Sequence, residues 1–308
     1  MPAMTDTNHA KPQLGLVCQT HSEECRFRTI TRTRFLKLTA RQRKQTLTEL
    51  YQDNLARLDA ALMFCVARDI RLYRAPSGLF PMSDEPIGEA VLRGMAKPLR
   101  AVGRRAKRDN LRVVLHPDQF VVLNSDSEHV IATSIRILEK HALSFDLMGL
   151  PANTWAAFNV HGGKRGQGDR LVEVIAKRLP PNVRKRLTLE NDEFSFGAEE
   201  ILDICRRAKV PMLFDCHHHV IKEKLDSYDH PSIGKFTRLA RETWPKPEWQ
   251  VVHVSNGRES FHDRGHSDSI AQMPTAYADV PWIEVEAKGK ERAIDDLRAK
   301  WPFPAPGR

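Results

Sequence analysis

Six residues with metal-ligand side chains occupy equivalent places in this chain. His116, His161, Glu190, Asp215, His253 and Glu286 each close a short apolar run. Imidazole nitrogens together with carboxylate oxygens suit Zn²⁺, Mn²⁺ or iron, and no cysteine joins them. One such residue is explained as well by a satisfied polar group; six in succession are not. Two more histidines join by spacing. Asp215, His218 and His219 form a D-x-x-H-H step just past an apolar run, so the aspartate can reach one ion and His218 a neighbouring one. The segment from His262 to His266 can reach back over the same place. This supply exceeds the four ligands of a tetrahedral ion and predicts two or three ions. Clustered divalent ions suit cleavage of a phosphodiester: they turn water into hydroxide, neutralise the phosphate and hold the leaving oxygen.

Such residues act together only if the fold gathers the ends of their runs. The runs are Leu14–Cys18, Ile70–Arg74, Arg112–His116, Trp155–His161, Arg186–Glu190, Val210–Asp215, Trp249–His253 and Trp282–Glu286. Most are continuously apolar, as parallel strands covered on both faces are. Helical patterns separate them, at Arg41–Asp69, Pro86–Asp109, Glu128–Met148, Arg170–Leu179, Ala198–Ala208, Ile233–Glu242 and Lys290–Lys300. Alternation of this kind predicts a single-domain α/β fold, a (β/α)8 TIM barrel, in which catalytic groups sit at the C-terminal strand ends. The barrel is expected over residues 13–302, with tails at 1–12 and 303–308. An open doubly wound sheet fits less well, because QTHSEECRFR after the first run has no phosphate-binding glycine.

The chain has 308 residues, 41% of them hydrophobic, enough for one sizeable core. No apolar run approaches the ~18 residues of a membrane span, and the first residues lack the apolar stretch of a secretory signal. The five cysteines, Cys18, Cys25, Cys65, Cys205 and Cys216, are scattered without a CxxC pair, so thiols in a reducing cytoplasm are expected. The net charge of +9 favours a polyanionic partner. Its placement is more informative than its size. Basic residues follow the first run (CRFRTITRTRFLK), the fourth (HGGKRGQGDR, with Lys164 and Arg165), the seventh (Arg258, Arg264) and the eighth (Lys288, Lys290). On a barrel these loops share the face of the candidate ligands and predict a groove that tracks a nucleic-acid backbone. Lys97–Arg112 is also basic, but it leads into a strand and is expected on a helix away from that face.

LHPDQFVVLNS, LENDE, the D-x-x-H-H step and VEAKGKE together resemble the UV damage endonucleases, TIM-barrel repair enzymes related in architecture to endonuclease IV. The resemblance runs from about Leu14 to Lys290. It implies nicking of double-stranded DNA immediately 5′ to a UV photoproduct or related lesion by a divalent metal cluster, with Mn²⁺ favoured over Zn²⁺ or Mg²⁺. By motif, Glu190 would bridge two ions. His116 and His161 would complete the first, Asp215, His253 and Glu286 would hold the second, and His218 with His266 the third. Glu190, His116 and Glu286 would then be catalytic, and Lys288 a phosphate contact. Gln119 and Phe120 would probe the damaged duplex, one by hydrogen bonding orphaned bases and the other by stacking into the gap. Lys164, Arg165 and Arg258 would hold the DNA backbone. Two positions depart from the family. Val251 stands where a lysine near the metals is often found, and Leu16 where the first strand often has a tyrosine. Both bear on lesion range and metal preference. A protein of this kind would act as a monomer in the cytoplasm, at the nucleoid by virtue of its substrate. The rival reading is a metal-dependent sugar isomerase or epimerase, which uses a similar ligand set in a closed pocket.

Overall fold

The computed structural model describes residues 11–117 and 120–301. Eight parallel strands close into a barrel in sequence order: β1 (Gln13–Val17), β2 (Leu72–Ala75), β3 (Arg112–Leu115), β4 (Phe158–His161), β5 (Leu187–Glu190), β6 (Met212–Asp215), β7 (Val251–Val254) and β8 (Trp282–Val285). β8 pairs with β1 from Gln13 opposite Trp282 onward, which seals the cylinder. The helices are α1 (Arg32–Leu36), α2 (Ala40–Ala67), α3 (Pro86–Gly94), α4 (Ala96–Arg108), α5 (Glu128–Met148), α6 (Gly168–Lys177), α7 (Pro181–Arg184), α8 (Ala198–Ala208), α9 (Cys216–Glu223), α10 (Pro231–Arg241) and α11 (Glu291–Lys300). The expected (β/α)8 barrel is the observed fold. Every expected strand overlaps an observed one.

Side chains alternate along each strand, so every second residue faces the barrel axis. This period stacks two chemically different layers. The lower layer is apolar: Leu72, Val114, Ala157, Leu213 and Val251 pack together with Trp244, against Trp249 and Trp282. Two residues further along the same strands stand Arg74, His116, Asn159, Asp215 and His253, and Glu284 follows Trp282. The apolar layer thus forms a dry floor beneath a polar one. On β1 the inward residue is Gly15, where a Cβ would lie 2.7 Å from the Leu72 side chain, so glycine leaves room for that leucine. Leu16 accordingly points outward into the main core, and Val251 belongs to the floor layer under His253. Beneath the floor, the fully buried Arg112 donates to the carbonyls of Trp155, Trp249 and Thr154 at 2.8, 3.0 and 2.9 Å. Its guanidinium also lies 4.7 Å from the Trp155 ring and 5.2 Å from that of Trp282.

Two local expectations are corrected. The single helix expected over Pro86–Asp109 is two, broken at Met95. Pro98 lacks an N–H for the Gly94 carbonyl and its ring crowds that group, so the first helix ends there. The fourth strand begins at Phe158 rather than Trp155, because Thr154–Ala156 form a 3-10 turn capped by the Asn153 side chain. The consecutive histidines just past β6 form the first turns of α9, with Asp215 as N-cap accepting from the His218 amide at 2.8 Å.

Candidate metal centre

Glu190 ends β5 near the barrel axis and is almost wholly buried. Its two oxygens face different partners. Oε2 accepts from the Asn159 amide and lies 3.4 Å from His116 Nε2 and 3.8 Å from His161 Nε2. Oε1 lies 2.8 Å from His253 Nδ1 and 3.7 Å from His218 Nδ1. One carboxylate therefore presents an oxygen to each of two imidazole pairs, the disposition of a bridging ligand. Two ligands that share an ion at about 2.1 Å stand roughly 3–3.5 Å apart, which matches His116 and approaches His161, whereas His218 Nδ1 is already bonded to the Asn191 carbonyl at 2.9 Å.

Three groups of potential ligand atoms converge around it, each within 4.8 Å: His116, His161 and Glu190; Glu190, Asp215 and His218; and Asp215, His253 and Glu286. Seven of the eight sequence candidates are thus brought together. Buried atoms without a partner point to the same centre. Asp215 Oδ2 and His161 Nδ1 are shielded from solvent and make no hydrogen bond. Burying such groups is costly unless something else satisfies them. The donor set and these orphaned atoms fit divalent cations.

The supporting groups fix the rings. His116 Nδ1 bonds the Pro117 carbonyl at 2.9 Å, leaving Nε2 for the centre. His253 is held from behind by Glu284, whose Oε2 is 2.5 Å from Nε2. Glu284 is in turn held by Arg74 Nη1 at 3.2 Å, and the same nitrogen donates to Glu286 Oε1. Arg74, Glu284 and Asn159 were not among the residues singled out from sequence. The period-two rule could have found Glu284, two positions before Glu286 on one strand face, and Asn159, two before His161.

Electrostatics follow from this crowding. Burial opposes charge on His253, but Glu190, Glu286 and Glu284 overcome it and raise its pKa well above the ordinary value. Burial likewise opposes charge on His218, yet Asp215, Glu190 and Glu193 push its pKa up to about 9. The Glu286 carboxyl, despite burial, is held far below the usual range by Arg74 and His253. In His161 burial dominates and lowers the pKa.

The other histidines of α9 are otherwise engaged. His217 Nε2 meets the Asp263 carbonyl at 2.9 Å and its Nδ1 the Tyr228 hydroxyl at 2.6 Å. His219 bonds Ser232 Oγ at 2.9 Å and packs on Phe214 and Phe236. His266, expected at the third ion, lies outside these three groups but lines a cavity with His116, Glu190, His218 and Glu286. An antiparallel bridge between Gly257 and His266 ties its loop back on itself, and its Nδ1 stands 3.7 Å from Glu286 Oε2.

Two cavities open over the centre. One, of about 490 Å³, reaches Arg74, His116, Glu190, His218, His266 and Glu286. The other, of about 450 Å³, starts at His116, His161 and His218 and extends past Pro117, Val121 and Val122 to Phe194, Lys164 and Arg264. Phe120 (72% exposed) and Phe194 (54%) are two of the few large apolar side chains left in solvent. Arg264 lies 3.8 Å over the Phe194 ring and bonds Glu193 at 2.7 Å. Lys164 pairs with Asp126. Arg165, Arg258 and Lys288 are exposed and line neither cavity. Gln119 lies outside the described residues.

Fold and site define a class: a (β/α)8 barrel with a clustered His, Glu and Asp ligand set at its C-terminal mouth. The UV-endonuclease UvdE family profile matches residues 12–302. A UV DNA damage endonuclease of Nostoc sp. is 52% identical over 95% of this chain and 91% of its own length. One of Deinococcus radiodurans is 48% identical over 97% and 99%. The crystal structure of SacUVDE superposes with a TM-score of 0.77 at 25% identity, over 94% of this chain and 98% of that one. The chain belongs to the UvdE family of UV endonucleases, and so to the DNA repair endonucleases.

Proposed function

We propose that the chain is a metal-dependent endonuclease that incises double-stranded DNA immediately 5′ to UV photoproducts or related lesions. The observation that carries this reading is Glu190, whose two oxygens each face two imidazoles at the floor of an open cleft. His116, His161, Glu190, Asp215, His218, His253 and Glu286 would hold two or three divalent ions, manganese first among them. Bound there, such ions would lower the pKa of water and offset charge on the phosphate. The chain's own groups do the rest. Glu284 and Asn159 fix the rings and carboxylate of the ligand set, and the apolar floor keeps water from beneath. Phe194 lines the cleft and the exposed Phe120 directly precedes its wall residue Val121, and such aromatic rings can support unstacked bases. The apolar wall of Pro117, Val121 and Val122 suits an extrahelical base, and Lys164, Arg165, Arg258, Arg264 and Lys288 suit the backbone.

The sugar isomerase reading needs a closed pocket around one small substrate. Open cavities with exposed aromatics and cations at the rim favour a polymer instead. No helix among the described residues is long and apolar enough to cross a membrane. We assign the working form as a cytoplasmic monomer. The test is a nicking assay on UV-irradiated and unirradiated duplex with Mn²⁺, Zn²⁺ or Mg²⁺. The reading expects metal-dependent incision of the irradiated duplex alone. Equal nicking of both, or none with any metal, would overturn it.

A further inference from the structure

Helix α4 carries charge that the candidate metal centre does not use. Its sequence, AKPLRAVGRRAKR, contains lysines and arginines but no acid. Leu99, Val102, Gly103 and Ala106 form its buried face. A Cβ at Gly103 would lie 1.9 Å from the Met148 carbonyl oxygen, so the helix is seated tightly on the end of α5. Along the flank of that face Lys97, Arg100, Arg104 and Lys107 are all exposed. Their 3-4-3 spacing sets them in one stripe, neighbours about 5–6 Å apart, over roughly 15 Å of helix.

The acids nearby are committed elsewhere. Asp59 pairs with Arg105 at 3.0 Å and Asp109 with Arg108 at 2.9 Å. Among the described residues no carboxylate pairs with the four cations of the stripe. On other outer helices Lys177, Arg207, Arg241 and Lys300 each meet an acid. Arg100 also lies against Gly149 at the carbonyl end of α5, which fixes its height on the stripe. Like charges at this spacing repel by about 0.2–0.5 kcal/mol per pair. An uncompensated row therefore costs the folded protein something unless a polyanion covers it.

We propose that the α4 stripe is a second nucleic-acid contact, taking the phosphate backbone of duplex DNA outside the catalytic mouth. α4 leads down the barrel flank into the start of β3, whereas His116 lies past that strand's far end. A duplex held there is not the segment being cut. A bilayer is the poorer partner, since surface helices bind lipid through an exposed apolar face. Among the described residues the large exposed apolar side chains are Leu36, Met63, Phe120 and Phe194, none of them on α4. The inference rests on the reading of the chain as a DNA-acting enzyme.

The test compares the full chain with the variant Lys97→Gln, Arg100→Gln, Arg104→Gln, Lys107→Gln, and with Lys97→Gln, Lys107→Gln alone. Undamaged duplex is titrated by fluorescence anisotropy at several salt concentrations, and circular dichroism checks folding. Four lost phosphate contacts should flatten the log–log salt slope by about 3.6, and two by about 1.8. Between about 50 and about 200 mM salt the wild type should then lose on the order of 100-fold more affinity than the quadruple variant does. Incision of a short lesion duplex that covers only the mouth should not change. Folded variants with the wild-type slope would overturn the proposal and leave the endonuclease reading standing. So would unchanged DNA binding with loss of wild-type binding to phosphatidylserine vesicles. A wild type that binds neither damaged nor undamaged duplex would overturn both.

Discussion

Glu284 should govern metal affinity without being a ligand. Its carboxylate is buried and sits 2.5 Å behind His253 Nε2, while the other ring nitrogen faces Glu190. Replacement by glutamine keeps the shape and an acceptor oxygen but removes the charge. A hydrogen bond to a charged group contributes about 1.5–3 kcal/mol, and outer-sphere partners of metal-bound histidines are typically worth roughly 10–100-fold in metal affinity. Glu284→Gln should therefore weaken the tightest divalent ion by about 1.4–2.7 kcal/mol. Glu284→Leu should do more harm, and to folding. It leaves Arg74 and His253 short of a counter-charge in a buried layer, at a cost of about 3–5 kcal/mol. The assay is competition with a chromophoric chelator for affinity, alongside urea melts in chelator for stability. Tight metal binding by a folded Glu284→Gln protein, equal to wild type, would refute the claim that Glu284 orients His253.

Three further outcomes follow from the same geometry. In metal-free protein at neutral pH, His218 (pKa about 9) and His253 carry protons that a cation must displace. Metal uptake should thus release protons and strengthen as pH rises toward 9; calorimetry in buffers of different ionisation enthalpy should read about one to two protons per binding event, and zero would contradict it. Phe194→Ala should weaken binding to lesion duplex by about 1–3 kcal/mol while leaving metal stoichiometry intact, because the ring is offered to bases and touches no ligand; an unchanged Kd would remove it from the DNA surface. Arg112→Leu removes the donor from three carbonyls beneath the floor, only that of Thr154 in a fully buried bond, and should destabilise the fold by about 3 kcal/mol, with incision per folded molecule preserved; a melt like wild type would show that the floor does not depend on it.

The sequence made the barrel legible because continuous apolar runs and intervening helical stripes leave few alternatives. It also brought out most of the candidate ligands, since a (β/α)8 barrel exposes strand ends and those ends read His, His, Glu, Asp, His and Glu. What it hid lies one layer deeper or in loops. Glu284 and Arg74 sit inside strands, where a charged residue looks like an interruption until a partner across the barrel is known. His217, His218 and His219 are alike in sequence, and only the start of α9 decides that His218 comes within 3.7 Å of Glu190, its Nδ1 bonding the Asn191 carbonyl, while its neighbours bond Tyr228 and Ser232. For His266, nothing in RGHSD reveals the bridge to Gly257 that sets its reach. The break at Met95 was foreseeable from Pro98 alone.

The central claim is that Glu190 ties a metal cluster to strand incision. Its most direct test is a single comparison of wild type and Glu190→Gln, each stripped with chelator and then titrated with Mn²⁺, scored both for bound metal and for nicking of UV-irradiated duplex. The account predicts that wild type regains its metal and its incision together. It predicts that the folded variant loses at least one bound ion and falls in incision by roughly 100-fold or more. Incision by the variant at the wild-type rate, or by wild type with no metal bound, would contradict it.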